Sequence, residues 1–352
     1  MMIKQAAWLF LALGLTACSS TDHSTLPSNS GVSDALLEEM PEEWADSYAG
    51  NPEVQLFIER LVRLYNYDKS RLELAFSRIK LRPKVIEKSD NQPEVITPYY
   101  EYKTRFVTED RAKLGQAFAK RNEYWLRKAE QEFGVEPRVI VALIGVETYY
   151  GRITGSKDVF TSLTTLAFDY PRRKEYFQSE LEAYLLLARK EGWNIGETKG
   201  SYSGAMGMVQ FMPSNYQKLA LDYDKNGHID LWGSEADAIG SVANYLKHHG
   251  WQSKQPWYVM AYVSDPEKVT DLVNYGRKAS TEMSDWSALD VLPTQPFIPR
   301  KTGLIALRTA PETVSYWLAY ENFFTIMDYN PSRRYAMSVL ELAESIGRYE
   351  SH

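Results

Sequence analysis

The segment Pro137-Arg-Val-Ile-Val-Ala-Leu-Ile-Gly-Val-Glu147-Thr-Tyr-Tyr-Gly151 constrains this chain more than any other stretch. Its apolar residues and its two ends describe one short helix inside a core. Pro137 suits the first helical turn, and Gly151 suits the position just past the end. Ile140, Leu143, Ile144 and Glu147 follow i, i+3, i+4, i+7 spacing and so share a face. Glu147 therefore stands where the pattern asks for a core residue. Partial burial and the negative end of the helix dipole both act to raise the pKa of such a carboxyl. A carboxylic acid still protonated near neutral pH is what glycosidic bond cleavage requires. The alternative is a buried Glu neutralised by an arginine such as Arg152.

The surrounding composition is that of a globular protein. With 352 residues, 44% hydrophobic and 24% charged, the chain has room for two or three domains. A net charge of −6 gives no basic excess of the kind that marks nucleic acid as a partner. The 24 Tyr and 9 Trp supply flat amphipathic rings, for packing or for lining a sugar groove.

The N-terminus reads as a targeting segment. Lys4 precedes a run from Ala6 to Ala17 that is almost wholly apolar, too short to span a bilayer and matching a signal h-region. The run ends in Leu15-Thr16-Ala17-Cys18, followed by Ser19 and Ser20, which resembles a bacterial lipobox. Residues 1–17 are then a lipoprotein signal peptide, and Cys18 carries the lipid. Cys18 is the only cysteine, so no internal disulfide can form. An ordinary secretory signal with an incidental cysteine is the other reading. Residues 18–37 are polar and read as a flexible tether.

The rest reads as a predominantly helical α+β chain. Val54, Phe57, Ile58, Leu61, Val62 and Tyr65 form one helical stripe, and Leu72, Leu74, Ala75 and Ile79 follow. Pro83, Pro93 and Pro98 mark residues 82–100 as loop or extended. Helix returns over Thr108–Phe133, starting near Thr108, and again over Phe177–Lys190, Asp237–His249 and Ser332–Arg348. Between them, residues 257–327 are richer in Pro, Thr, Val and aromatics, and Thr313–Tyr320 alternates as a strand does.

Two further motifs suggest chemistry. Lys199-Gly-Ser-Tyr-Ser-Gly-Ala-Met-Gly-Met-Val-Gln-Phe-Met-Pro-Ser214 has little side-chain bulk at Gly200, Gly204, Ala205 and Gly207. A ligand or backbone can approach there, with Gln210 beside it as a hydrogen-bonding group. Ser201 and Ser203 are placed to hold a carboxylate or a water. A turn followed by a helix, with Gln210 exposed, is the alternative. Asp222-Tyr-Asp-Lys-Asn-Gly-His-Ile-Asp230 fits the first half of an EF-hand loop, with oxygen ligands on Asp222, Asp224 and Asn226, Gly227 at the sharp turn, and the His228 carbonyl. Position 12 is Gly233, where the usual loop has Glu. Asp237 is the preferred closing ligand over Glu235; it could instead be only the N-cap of the next helix. A solvated turn is the alternative. A single such site stiffens a domain more readily than it senses calcium.

Gly145-Val-Glu-Thr148, Gly200–Pro213, Asp222–His228 and Asp237-Ala-Ile-Gly-Ser-Val-Ala-Asn-Tyr245 occur in that order. Together they resemble the membrane-bound lytic murein transglycosylase B family, over nearly the whole chain from about residue 40. The resemblance implies a lysozyme-like catalytic core over 131–256, with its calcium loop at 222–237. A mainly helical domain (38–130), a β-containing part (257–327) and a C-terminal segment packing back on the core (328–352) complete the expected layout. It implies cleavage of the β-1,4 bond between N-acetylmuramic acid and N-acetylglucosamine in peptidoglycan strands, leaving 1,6-anhydromuramoyl ends. Glu147 matches the single acid/base. Ser201 matches a serine near it. Gln210, Tyr245, Tyr329 and Asn330 match residues lining the sugar subsites, and Tyr102 resembles a further active-site tyrosine. Asp222, Asp224, Asn226, His228 and Asp237 match a structural calcium site, and no cofactor is implied for catalysis. Asp169 and Glu175 remain as other carboxylates, suited to salt bridges with Arg172 and Arg173. Ser19 after the lipidated cysteine resembles an outer-membrane lipoprotein facing the periplasm. Cell-wall synthesis or division complexes are compatible partners. A hydrolytic muramidase and a non-catalytic peptidoglycan binder are the competing readings.

Overall fold

The structure is a computed structural model that describes residues 47–80, 86 and 97–348. The signal-like run, Cys18, the tether and much of the proline-marked stretch after Lys80 lie outside those residues. In chain order the longer helices are α1 (Pro52–Tyr65), α2 (Lys69–Ser77), α3 (Tyr99–Tyr102), α4 (Glu109–Arg121), α5 (Glu123–Phe133), α6 (Pro137–Thr148), α7 (Val159–Asp169), α8 (Lys174–Glu191), α9 (Pro213–Leu219), α10 (Glu235–His248), α11 (Met283–Ala288), α12 (Glu321–Tyr329) and α13 (Arg333–Arg348). Two short strands, β1 (Lys157–Asp158) and β2 (Lys199–Gly200), pair antiparallel. The others, β3 (Tyr258–Val263), β4 (Val291–Pro293), β5 (Gly303–Ala310) and β6 (Thr313–Ala319), form an antiparallel sheet in the order β4-β3-β6-β5. The chain is mostly helical with small antiparallel sheets, as the residue pattern implies.

Helix α6 is the axis of the main core. Every residue from Val139 to Val146 is buried. The helix is apolar all round because α4, α5, α10 and α13 pack against it on different sides. Burying each of its Ile and Leu side chains stabilises the fold by roughly 1.5–3 kcal/mol. Helix α13 lies antiparallel to α6: Arg138 at one end approaches Gly347, and Glu147 at the other meets Tyr335. At the periphery α1 is tied to α8, where Arg60 and Tyr65 donate to the Glu182 carboxylate at 2.8 and 2.6 Å.

The sheet divides its two faces. Ile305, Leu307 and Trp317 join the main core, while Val259, Ala261, Leu304 and Leu318 enclose a smaller core with Trp286 and Val291. The alternation at Thr313–Tyr320 is strand β6, but the last residues of the expected β-containing part, 321–327, lie in helix α12. Phe323, Phe324, Ile326 and Met327 bury at helical spacing there. Leu74 also differs from its expected place in the stripe: Leu72 and Phe76 are fully buried, whereas Leu74 is 47% exposed. Two residues from each of them, it stands on another side of α2. No helix among the described residues is long and apolar enough to cross a membrane.

Candidate active site

Helix α6 ends in an unusual turn. Tyr149, Tyr150 and Gly151 all have positive φ, at 54°, 61° and 82°. The helix therefore ends at Thr148 with Tyr149 in the left-handed cap position, two residues before the glycine that sequence rules place there. Two bulky residues in this region are strained unless their surroundings hold them. The first turn of α4 does so. Tyr149 donates to the Asp110 carboxylate, and Tyr150 donates to the Arg111 carbonyl at 2.7 Å. The Tyr150 ring folds back onto Gly115 and Gly145, where an added Cβ would come within 2.6 Å of it. Gly145 in the apolar helix is explained by that ring. The Arg111 guanidinium donates to the carbonyls of Gly145 and Arg105 and lies 4.5 Å from the Tyr149 ring centre. It places a cation against the negative end of α6.

Glu147 sits in this last turn, half-buried among otherwise buried neighbours. The Tyr335 hydroxyl donates to Glu147 Oε1 at 2.5 Å. Burial, and then the negative charge of Glu147, push the Tyr335 phenol well above its ordinary range, so it stays a proton donor. Tyr329 is raised for the same two reasons. Arg152, the neutralising partner weighed from the sequence, lies over the Tyr149 ring at 5.5 Å. Asp169 accepts from Tyr48. Tyr335 is the site residue that sequence reasoning misses. On an amphipathic helix a buried tyrosine reads as core, and only the antiparallel packing of α13 on α6 brings it to Glu147.

Thr148 links the carboxylate to the glycine-rich segment, donating to the Met208 carbonyl at 2.7 Å. That segment folds on itself: Met206 bridges to both Gly200 and Phe211. Its small residues admit backbone; a Cβ on Gly155 would fall 2.1 Å from the Gly200 carbonyl oxygen. Ser201 Oγ accepts from Ala205 N at 3.0 Å and lies 3.1 Å from Ser203 Oγ. Gln210 is half-buried with φ 49°, and its amide donates to the carbonyls of Thr154 and Gly207 at 3.1 and 2.9 Å. Glu180, only 4% exposed, accepts from Ser214 N and Oγ and moors the end of the segment to α8.

An aromatic wall adjoins the far end of the glycine-rich segment. Tyr329 donates to the Val209 carbonyl, and Tyr245 donates to the Asp328 carbonyl at 2.7 Å. Their ring centres are 4.7 Å apart, edge to face, with Phe211 beside both. Both hydroxyls are thus used inside the protein. Asn330 follows at the end of α12 and is half-buried. Tyr102 is 1% exposed and packs on Phe106.

The acidic loop lies behind α5 and α10. The carboxylates of Asp222, Asp224 and Asp237 have oxygens within 4.8 Å of one another. Asp222 accepts from the backbone N–H groups of Asn226 and Gly227, and Asn226 Oδ1 accepts from His228 N. Gly227 has φ 95°, as the sharp turn requires. Asp237 is fully buried and receives Tyr223 N and Asp230 N at 2.7 and 2.8 Å. It is not the N-cap of α10. Ser234 is, and the Asp237 carboxylate is thereby turned toward the loop. Burial raises the Asp237 pKa, opposed by those two N–H groups. Glu235 is engaged by Arg121 and Asn122 instead. No ion pair to these three carboxylates occurs among the described residues, and clustered carboxylates are donors of the hard oxygen type that calcium takes.

A half-buried carboxylate at a helix end, held by a tyrosine and set beside a glycine-rich turn and an aromatic wall, belongs to a chain that known proteins match over most of its length. The family model described as the transglycosylase SLT domain matches residues 49–344. The chain is 37% identical over 349 residues to the membrane-bound lytic murein transglycosylase B of Escherichia coli (strain K12), covering 94% of each chain. The Escherichia coli lytic transglycosylase Slt35 in complex with bulgecin A has a TM-score of 0.80 at 37% identity, over 89% of this chain and 100% of that one. Slt35 in complex with calcium gives 0.78 at 36%, over the same shares. Pseudomonas aeruginosa SltB3 in complex with NAG-anhNAM-pentapeptide gives 0.70 at 28%, over 84% of this chain and 79% of that one. This chain belongs to the membrane-bound lytic murein transglycosylase B family and is a lytic transglycosylase of peptidoglycan.

Proposed function

We propose that the protein cleaves the β-1,4 bond between N-acetylmuramic acid and N-acetylglucosamine with Glu147 as its one acid and base. The observation that carries this reading is the half-exposed Glu147 carboxylate at the end of a buried helix, oriented by the Tyr335 hydroxyl. Glu147 first gives its proton to the glycosidic oxygen, and the bond to C1 of the muramoyl residue breaks. The N-acetyl carbonyl of the same sugar stabilises C1. Glu147, now ionised, takes the proton of the C6 hydroxyl as that oxygen bonds to C1 and closes the 1,6-anhydro ring. The nucleophile belongs to the substrate, so orientation replaces a second protein carboxylate. Ser201, Gln210, Tyr245, Tyr329 and Asn330 line the sugar subsites; Tyr245 and Tyr329 contribute ring surface, their hydroxyls being committed to backbone carbonyls. Tyr102, being buried, acts from behind Tyr335. The catalytic core is residues 131–256, braced by the helical part before it and by the sheet and α13 after it.

The test is mass spectrometry of the fragments released from purified peptidoglycan. Anhydromuramoyl ends are the expected product. Reducing muramic acid ends would make the enzyme a hydrolase and overturn the one-carboxylate scheme.

Calcium held by Asp222, Asp224, Asn226, the His228 carbonyl and Asp237 stiffens the core, a reading supported by the carboxylate cluster and by the calcium complex of Slt35. Lipid on Cys18 anchors the chain to the periplasmic face of the outer membrane, as the lipobox and the membrane-bound relative suggest. Cys18→Ser is expected to move the protein from the membrane to the soluble fraction on cell fractionation; a variant that stays with the membrane counts against this anchor.

A further inference from the structure

A second groove, built from residues the reaction does not use, lies between α2 and the head of α7. Arg71, Leu74 and Arg78 form one wall, and Asp158 and Glu197 belong to the other, around a cavity of about 530 Å³. Arg71, Leu74 and Arg78 follow i, i+3, i+7 spacing, so one side of α2 presents an aliphatic side chain between two cations. Neighbouring cations are spoken for: Arg60 pairs with Glu182, and Lys69 approaches Glu59 and Glu73. Arg71 and Arg78 are exposed and enter no ion pair among the described residues. Seven residues of helix set them about 10 Å apart along the axis, the span of about three residues of extended peptide.

The facing wall has the opposite charge. Asp158 caps α7, its Oδ1 accepting Thr161 N at 2.7 Å. Its Oδ2 is buried and has no hydrogen-bond partner among the described residues. Buried carboxylate oxygens call for a donor, and a cationic one best. The exposed Glu197 carboxylate adds to the same wall. Phe160, the one aromatic ring among the described lining residues, is 3% exposed, so those residues offer a sugar no face to stack on. Its chemistry fits a short chain with aliphatic side groups, carboxylates and a free amine.

The position joins this groove to the glycan path. Asp158 is paired with Lys199 across the β1–β2 ladder, and Ser201 follows Lys199 by two residues. We propose that the groove binds the peptide carried by a muramoyl residue of the glycan strand, its carboxylates against Arg71 and Arg78 and its amine against Asp158 and Glu197. The proposal rests on the reading that the glycan passes Glu147 and Ser201.

Turnover is compared on uncrosslinked peptide-bearing strands and on the same strands stripped of peptide by an amidase. The double variant Arg71→Ala/Arg78→Ala is expected to raise KM roughly five- to tenfold on the peptide-bearing strands, with kcat and all stripped-strand kinetics unchanged. Asp158→Asn keeps the helix cap, since Asn caps as well as Asp, and is expected to act in the same direction. An unchanged KM on peptide-bearing strands, or an equal loss on both substrates, overturns the proposal. Calorimetric binding of the free pentapeptide to the whole protein separates it from the catalytic reading. Binding that the double variant loses upholds the groove even if no strand is cleaved, and wild-type protein that binds no peptide overturns it.

Discussion

Glu147→Gln is expected to lower kcat on peptidoglycan by roughly 10³-fold or more, with glycan binding and melting temperature close to wild type. General acid or base catalysis by one side chain contributes about 10²–10⁴-fold. Here one group serves in both halves of the reaction, so the loss falls at the upper end. Gln has nearly the same shape, and its carbonyl oxygen can still accept from Tyr335, so the packing of α13 on α6 is preserved. The amide cannot give up a proton to the leaving oxygen. Tyr335→Phe completes the test. It leaves the proton on Glu147 but removes the hydroxyl that orients the carboxylate, and a roughly 10- to 100-fold fall in kcat with little change in KM is expected. The pair distinguishes the carrier of the proton from the residue that aims it. Wild-type turnover by Glu147→Gln would end the assignment, and the search would move to another carboxylate.

The parts of this arrangement legible from sequence are those set by local rules. Apolar residues bounded by Pro137 define α6, and Thr108 is the N-cap of α4, its side chain accepting Arg111 N. Composition and alternation separate the sheet from the helices. What escaped depends on contacts between distant residues. The left-handed Tyr149 and Tyr150 run against local preference and exist because Asp110, Arg111, Gly115 and Gly145 receive them. A rule that assigns helix ends to glycine therefore misplaces the end of α6 by two residues. Tyr335 and Glu147 are 188 residues apart, and no spacing rule reaches that far. Leu74 fails for another reason. Hydrophobicity alone groups it with its apolar neighbours, although two residues along a helix is a turn of about 200°, and it lies on the groove instead.

The largest effect on stability is expected from Asp237→Ala, because this side chain has two separable duties. As an acceptor it joins Tyr223 N and Asp230 N, holding both ends of the acidic loop to the start of α10. Deleting it leaves two N–H groups without their acceptor in a buried setting, at a cost of roughly 1–3 kcal/mol each. As a ligand it closes the calcium site with Asp222 and Asp224. Calcium at about a hundred times its dissociation constant would add ~2.7 kcal/mol to the wild type. Thermal unfolding in chelator and in calcium separates the two. Wild type should melt several degrees higher in calcium. Asp237→Ala should melt lower than wild type even in chelator and gain nothing from the ion. Asp222→Ala is a milder change, because the Asp222 carboxylate serves only exposed backbone groups within the loop. It should lose the calcium increment while nearly matching wild type in chelator. If calcium raises Asp237→Ala as much as wild type, the carboxylate is only a brace. If calcium raises none of the three, the loop is a turn held by its own hydrogen bonds, and the stiffness of the core behind Glu147 owes nothing to a metal.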